Sequence, residues 1–493
     1  MKHQEVLKQA QDKIDELKET VSNSHWYPKY HIAPQVGWMN DPNGFSYFAG
    51  EYHVFFQHHP FSPHWGPMYW GHAKSKNLAT WEHLPIALAP SEEYDKDGCF
   101  SGSAVEIDNK LYLFYTGNVW TGEDRDHDLK QVQCVAISED GVHFEKDEKN
   151  PVITSAPEGD IHPFHFRDPK VWKKDETYYM VLGSKTKENR GQILLYRSKD
   201  LYEWEFMNIA ATGEGNFGFM WECPDIFHLD GHDILLMSPQ GMKPEEHKYH
   251  NLHQSGYCIG HFDYETGIYQ HGPFEMLDYG FDVYAPQSTI DDQGRRIVIA
   301  WMNMWESDMP EQQHEWAGSL TLPRIVTMEN GELRSRPVPE LELLREEEIK
   351  YENIKVAGQK ELDGIKGSCI ELKLSIDMMD SSMFSIKLRT NPESGEETVL
   401  SYDSSTNLFT FNRDKSGAGP RGVRHVPISL NNNKLHLQIF LDQSSVEVFI
   451  NDGEKVMTGR IYPDEKSTGV QFISEGDVTL DMVEKWNISK SIR

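Results

Sequence analysis

The sequence predicts an all-β protein: a five-bladed β-propeller followed by a C-terminal β-sandwich, with a short N-terminal helix. Three observations carry this. A pattern of paired short strands recurs through roughly the first three hundred residues. Its step is regular, at about sixty residues. Beyond it the chain changes to plain period-two alternation, as in CIELKLSI from Cys369, FSIKLR from Phe384 and LHLQIFL from Leu435.

The recurring unit is a small or acidic residue near a Pro, a short apolar strand, a polar turn and a second aromatic or aliphatic strand. It occurs as NDPNGFSYFAGEYHVFFQ from Asn40, SGSAVEIDNKLYLFYTG from Ser101 and FRDPKVWKKDETYYMVLG from Phe166. It returns as ECPDIFHLDGHDILLMS from Glu222 and YAPQSTIDDQGRRIVIAW from Tyr284. Anchored on Pro42, Ser103, Pro169, Pro224 and Pro286, the steps are 61, 66, 55 and 62 residues. A second landmark follows in three units: SKNLATWEH from Ser75, SEDGVHFEK from Ser138 and SKDLYEWEF from Ser198. A hairpin unit of this size cannot bury both faces alone, so five of them pack around an axis and close. A single large sandwich also accommodates short strands and turns, but the regular step favours the propeller.

Flanking elements follow in order. Residues 1–30 read as an N-terminal helical extension, with Val6, Ala10, Ile14 and Leu17 at helical spacing. Residues 31–335 hold the propeller, and 336–353, RPVPELELLREEEIKYEN, read as a linker with a short charged helix. Residues 354–493 hold the sandwich, where Asn451-Asp452-Gly453 marks a tight hairpin turn.

Composition narrows the function classes. Lys and Arg number 48 against 78 Asp and Glu, a formal charge of −30 that repels nucleic acid and anionic membranes. The five cysteines are widely spaced without CxxC, which fits a reducing compartment and argues against a disulfide framework. The N-terminus lacks an apolar signal core, and no run suits a membrane helix, so the expectation is a soluble, cytoplasmic protein. There are 23 histidines but no HExxH; His58–His59 and His162-x-x-His165 read as polar surface. No metal and no cofactor are expected.

The repeat gives three carboxylates a shared address. In a propeller the first strand of each blade lines the central channel, and the residue just ahead of it faces the mouth. In blades one, three and four that position holds Asp41, Asp168 and Glu222. Like charges placed together cost free energy unless they are used. A carboxyl pair across a sugar is the apparatus of glycoside hydrolysis, and a carboxylate cation site is the competitor. Arg167, adjacent to Asp168, weakens the cation reading.

WMNDPNG at 38–44, FSGS at 100–103, FRDP at 166–169 and WECPD at 221–225 resemble the motif set of glycoside hydrolase family 32, the β-fructofuranosidases. The resemblance runs from about His31 to the C-terminus. It implies a five-bladed propeller with a β-sandwich, and release of fructose from sucrose or sucrose 6-phosphate with retention. It makes Asp41 the nucleophile, Glu222 the acid/base and Asp168 the transition-state stabiliser. Substrate-binding positions would be Trp38, Met39, Asn40, Gln57, Trp65, Phe100, Ser101 and Arg167, with Trp301 as a further pocket wall. Glu222 is expected to hold a proton, through burial and the field of Asp41, while Arg167 keeps Asp168 charged. One departure from the family pattern is Gln443, where Arg is common. The implied partner is a small sugar, with a homodimer allowed. Competing readings are an exo-acting inulinase or levanase on short fructans, a family 43-type inverting arabinanase or xylosidase, and a non-enzymatic glycan-binding propeller.

Overall fold

In the computed structural model, which describes residues 3–492, five antiparallel sheets follow one another along the chain. The innermost strands are Gly37–Phe48, Cys99–Ile107, Phe166–Lys174, Met220–Leu229 and Tyr284–Ile290. Each packs against the next, and the fifth packs back on the first, so the ring closes. The first blade gains a parallel pairing from Trp316–Ala317, downstream of Arg296–Trp301 in blade five, which ties the ring's two ends together. The blade faces that meet are apolar, and neighbouring blades share cores such as Phe55, Trp70, Leu113, Tyr115 and Cys134.

The Ser-centred landmarks are turns after the third strands of blades one to three. Ser75, Ser138 and Ser198 accept backbone N–H groups two or three residues on, while Asn77, Asp140 and Asp200 accept the next ones. Such side-chain acceptors replace ladder partners where the strand ends.

After the propeller, Pro339–Leu344 is a 3-10 turn rather than a charged α-helix, and residues from Arg345 do not link but pair. Arg345–Lys360 is a 16-residue strand along Gly469–Ile488. Its Glu and Lys side chains are exposed because it is an edge strand, where charge discourages pairing with another chain. The Glu346-Glu347-Glu348 run therefore reports an exposed edge. Gly469–Ile488 also pairs with Ile370–Asp377 and Met383–Asn391, so this 20-residue strand spans both layers of the sandwich.

The helix His3–Ser22 buries Val6, Ala10, Ile14 and Val21, with Leu17 only partly covered, beside Trp26, Tyr27 and Trp316. All five cysteines are free and buried.

Propeller and sandwich meet along a charged seam. Arg324 of blade five donates to Glu447 and Asp278, and Glu447 also meets His31 at 2.9 Å. Arg413 pairs with Asp282 at 2.5 Å and Arg460 with Glu311 at 3.2 Å. These groups are buried, and nearly every acid has a cation.

Candidate active site

One feature of the blades positions the site. In all five innermost strands the antiparallel register slips by one residue near the same end: between 39 and 42, 100 and 102, 167 and 170, 222 and 225, and 284 and 287. A bulge re-aims the side chains around it. Asp41, Asp168 and Glu222 therefore lie inside the strands, at the bulges, rather than just ahead of the strands as the repeat suggested. Asp168 and Cys223 adopt left-handed φ of 64° and 49° there. That geometry costs about 1–2 kcal/mol per non-glycine residue, and one hydrogen bond joins the two: the Cys223 N–H donates to Asp168 Oδ2 at 3.0 Å.

The carboxyls open into one pocket of about 370 Å³ at the channel mouth. Asp41 Oδ2 accepts from Ser101 Oγ at 2.6 Å and Oδ1 from Asn40 Nδ2 at 3.1 Å. Asn40 is itself fixed by Trp38 Nε1 at 2.7 Å. Cys223 Sγ lies 3.7 Å from Asp41 Oδ2 and 3.8 Å from Asp168 Oδ2, so two acids share this sulfur as a neighbour. Glu222 is the most heavily solvated by protein. Arg167 Nε and Nη2 fork onto Oε1 at 3.1 and 2.6 Å, and Tyr284 and Gln240 donate to Oε2 at 2.5 and 2.8 Å.

That distribution overturns two expectations. Arg167 forks onto Glu222, not Asp168. Burial pushes Glu222 up, but Arg167 and the Tyr284 hydroxyl together bring it below the usual carboxylate range. Asp41 instead rises to about 6, through burial and the charge of Glu222. Asp168 rises to about 7: burial drives it, Arg167 opposes, and Glu222 and Asp41 add to the rise. Of the three acids, the two aspartates rather than Glu222 are the ones that hold a proton more tightly than usual.

Asn40, Gln57, Trp65, Phe100, Ser101 and Arg167 line the pocket with the three acids. Gln57 is held by the Cys99 carbonyl at 3.0 Å. Trp38 and Met39 are buried behind it, and Trp38 acts through Asn40. Trp301 is fully buried and packs at a steep angle against Trp38 and edge-on against Trp305, so Trp305 takes the wall position and Trp301 backs it. Sequence reasoning missed Tyr284, Gln240, Trp120, Trp305, Glu306, His165 and His253. Only Tyr284 had a signal: the repeat aligns Tyr284-Ala-Pro with Glu222-Cys-Pro. The others lie on loops and second strands, where the repeat carries no marker.

His58 and His162-x-x-His165 are not surface. His58 is buried with Nδ1 on the Trp38 carbonyl at 2.8 Å, and His162 and His165 are buried as well. Among the described residues, Asp126, His162 and His165 form the grouping able to hold a metal ion. Lys185 Nζ lies 2.7 Å from Asp126 Oδ1 and Arg167 abuts His165, so two built-in cations oppose a third.

Comparison with known proteins decides the family. Residues 31–337 match the model of the glycosyl hydrolases family 32 N-terminal domain, and residues 340–488 that of the glycosyl hydrolases family 32 C terminal. The chain belongs to glycosyl hydrolase family 32. A sucrose-6-phosphate hydrolase of Escherichia coli is 43% identical over 98% of this chain and 99% of its own length. A raffinose invertase of Escherichia coli is 42% identical over 98% and 99%. Among family 32 structures, a Bombyx mori β-fructofuranosidase mutant in complex with sucrose superposes with a TM-score of 0.86 at 36% identity, covering 99% of this chain and 98% of that one. The sucrose-6-phosphate hydrolase of Lactobacillus gasseri gives 0.88 at 29%, covering 97% and 96%.

Proposed function

We propose that this family 32 enzyme is a β-fructofuranosidase that hydrolyses sucrose or sucrose 6-phosphate, releasing fructose with retention of configuration. The observation that carries the reading is the unequal treatment of Asp41 and Glu222 within one pocket. Asp41 accepts from Ser101 and Asn40, with the Cys223 thiol beside it, and lines the pocket. Glu222 is gripped at both oxygens, as a group fixed in orientation would be.

In the first step Asp41 attacks the anomeric carbon of fructose, forming a fructosyl ester, while Glu222 gives its proton to the leaving oxygen. Water then attacks the same carbon, Glu222 takes its proton, and the Asp41 carboxylate leaves. The in-line attack requires the two carboxyls about 5–5.5 Å apart once substrate is seated. The proton has to be on Glu222 at that moment. Fructose hydroxyls donating to Asp168 and Asp41 stabilise those two as anions, and the proton held by the aspartates passes to Glu222. Trp65, Phe100, Trp120 and Trp305 supply aromatic faces for the sugars. A cytoplasmic setting is supported by five free, buried cysteines; no described helix is long and apolar enough to cross a membrane.

Proton NMR of the first-formed fructose tests the mechanism. The β-anomer is expected, and initial appearance of the α-anomer excludes a fructosyl-Asp41 ester. Comparing kcat/KM on sucrose, sucrose 6-phosphate, inulin and levan assigns the substrate. A higher value on either fructan overturns the choice made here.

A further inference from the structure

Residues 121–128 join two strands of blade two, Lys110–Trp120 and Leu129–Ser138, at the rim of the pocket, and Trp120 and Arg125 line it. Asp126 pins this loop to blade three. Its carbonyl oxygen lies 2.9 Å from His165 Nε2, and its Oδ1 lies 2.8 Å from the same nitrogen and 2.7 Å from Lys185 Nζ. The other ring nitrogen, His165 Nδ1, is 3.0 Å from Arg167 Nη1.

A guanidinium can only donate, so His165 Nδ1 accepts, and Nε2 carries the proton it gives to Asp126. The ring is thereby neutral and fixed as one tautomer. Arg167 spends its other two nitrogens on Glu222 Oε1. A continuous chain of hydrogen bonds runs from the rim loop, through Asp126, His165 and Arg167, to Glu222. The groups facing His165 are Asp126 from the loop, Lys185 from the second strand of blade three, Arg167 from the strand that begins at Phe166, and the His162 ring at 4.8 Å. Burial, with Arg167 and Lys185, drives His165 down to about 3 while Asp126 opposes, in the same direction as the neutral ring that the hydrogen bonds require.

We propose that His165 is a positioning residue for proton transfer: anchored by Asp126, it holds the Arg167 fork on Glu222, so that seating of the rim loop and orientation of the proton donor are one event. This rests on Glu222 being the acid/base. A free Arg167 has several rotamers that leave Glu222; a ring acceptor on Nη1 selects the forked one. The effect is analogous to that of outer-shell partners that orient metal ligands, whose loss costs about 10- to 100-fold.

The test uses the full-length enzyme. His165→Phe keeps ring volume and removes both hydrogen bonds. It is expected to lower kcat on sucrose about 10- to 100-fold, with KM changed less than about threefold. With Arg167 loosened, the Glu222 anion loses support and its proton is held more tightly, so the basic limb of the kcat/KM profile moves to higher pH. His165→Asn, which keeps an acceptor near the Nδ1 position, is expected to recover most of both effects. Asp126→Ala on the part-exposed loop is expected to show the same shift in smaller measure, and decides the matter if His165→Phe does not fold. Fructosyl fluoride, whose leaving group needs no protonation, separates the two levels. Glu222→Gln should fail on sucrose but release about one equivalent of fluoride in a burst and then stall at the fructosyl ester, whose hydrolysis needs Glu222 as base; if no burst appears, or if both substrates turn over alike, the acid/base reading itself falls. If Glu222→Gln behaves as expected while folded His165→Phe or Asp126→Ala keeps the wild-type rate and pH profile, the positioning role alone is overturned.

Discussion

The protein buries acidic clusters in two places and supplies them unequally with cations. In the seam between propeller and sandwich, Asp278, Asp282, Glu311, Asp442 and Glu447 are met by Arg324, Arg413, Arg460 and His31. There Asp442 is lowered to about 2, because His31 and the backbone N–H groups of Lys29 and Tyr30 outweigh burial, and Arg324 and His31 bring Glu447 down; at Asp278 burial outweighs its partners and raises the group. In the pocket, Asp41, Asp168 and Glu222 share Arg167, and two of the three acids rise to about 6 and about 7. Burial is similar in both. Compensation differs, and an acid cluster left short of cations is the one that exchanges protons near neutrality.

Substitutions can break that comparison from either side. The largest effect is expected at Asp41: Asp41→Asn should reduce turnover about four orders of magnitude or more, measured on sucrose, with the fold intact by circular dichroism. Next comes the seam. Arg324→Met strips the cation from Glu447 and Asp278 and should cost about 3–5 kcal/mol in denaturant unfolding, because it strands buried charge, while kcat in the folded enzyme stays near wild type. A loss of turnover without loss of stability would mean the seam serves the site. Trp305→Ala, removing a pocket wall, should raise KM about tenfold, the equivalent of about 1.4 kcal/mol of stacking. The smallest effect is expected at Trp301, whose indole N–H is buried without a partner. Trp301→Phe should leave kcat/KM within about twofold, and a larger drop would restore Trp301 to the pocket wall.

Much of the architecture was legible because propeller blades repeat. Hairpins anchored on four prolines and on Ser103 marked all five innermost strands, and the carboxylates stood out as chemistry at equivalent places. The one-residue slips were not legible, since a bulge depends on the partner strand and leaves no compositional trace. Arg345–Lys360 misled because Glu-rich edge strands and charged helices share a composition when their pairing partner lies more than a hundred residues away. In the site, residue types were readable but partners were not. Arg167 adjoins Asp168 in sequence, yet strand geometry turns neighbouring side chains to opposite faces, and the fork reaches Glu222 in the next blade. His165 looked like surface for the same reason: a histidine's burial is decided by the loop that covers it.

Ionising Asp41 costs the folded protein stability, and thermal and denaturant unfolding of Asp41→Asn against wild type across pH reads this directly. Asp41 has a raised folded-state pKa, so its penalty is absent below about pH 4, grows as pH rises and is complete above about pH 6. A shift from 3.8 to about 6 corresponds to about 3 kcal/mol. The inactive Asn variant is therefore predicted to match wild type at pH 4 and to exceed its stability by about that amount at pH 7 to 8. A variant equally or less stable than wild type at neutral pH, with no dependence between pH 4 and 7, would show that the pocket's acids are as well compensated as those of the seam, and would contradict the account.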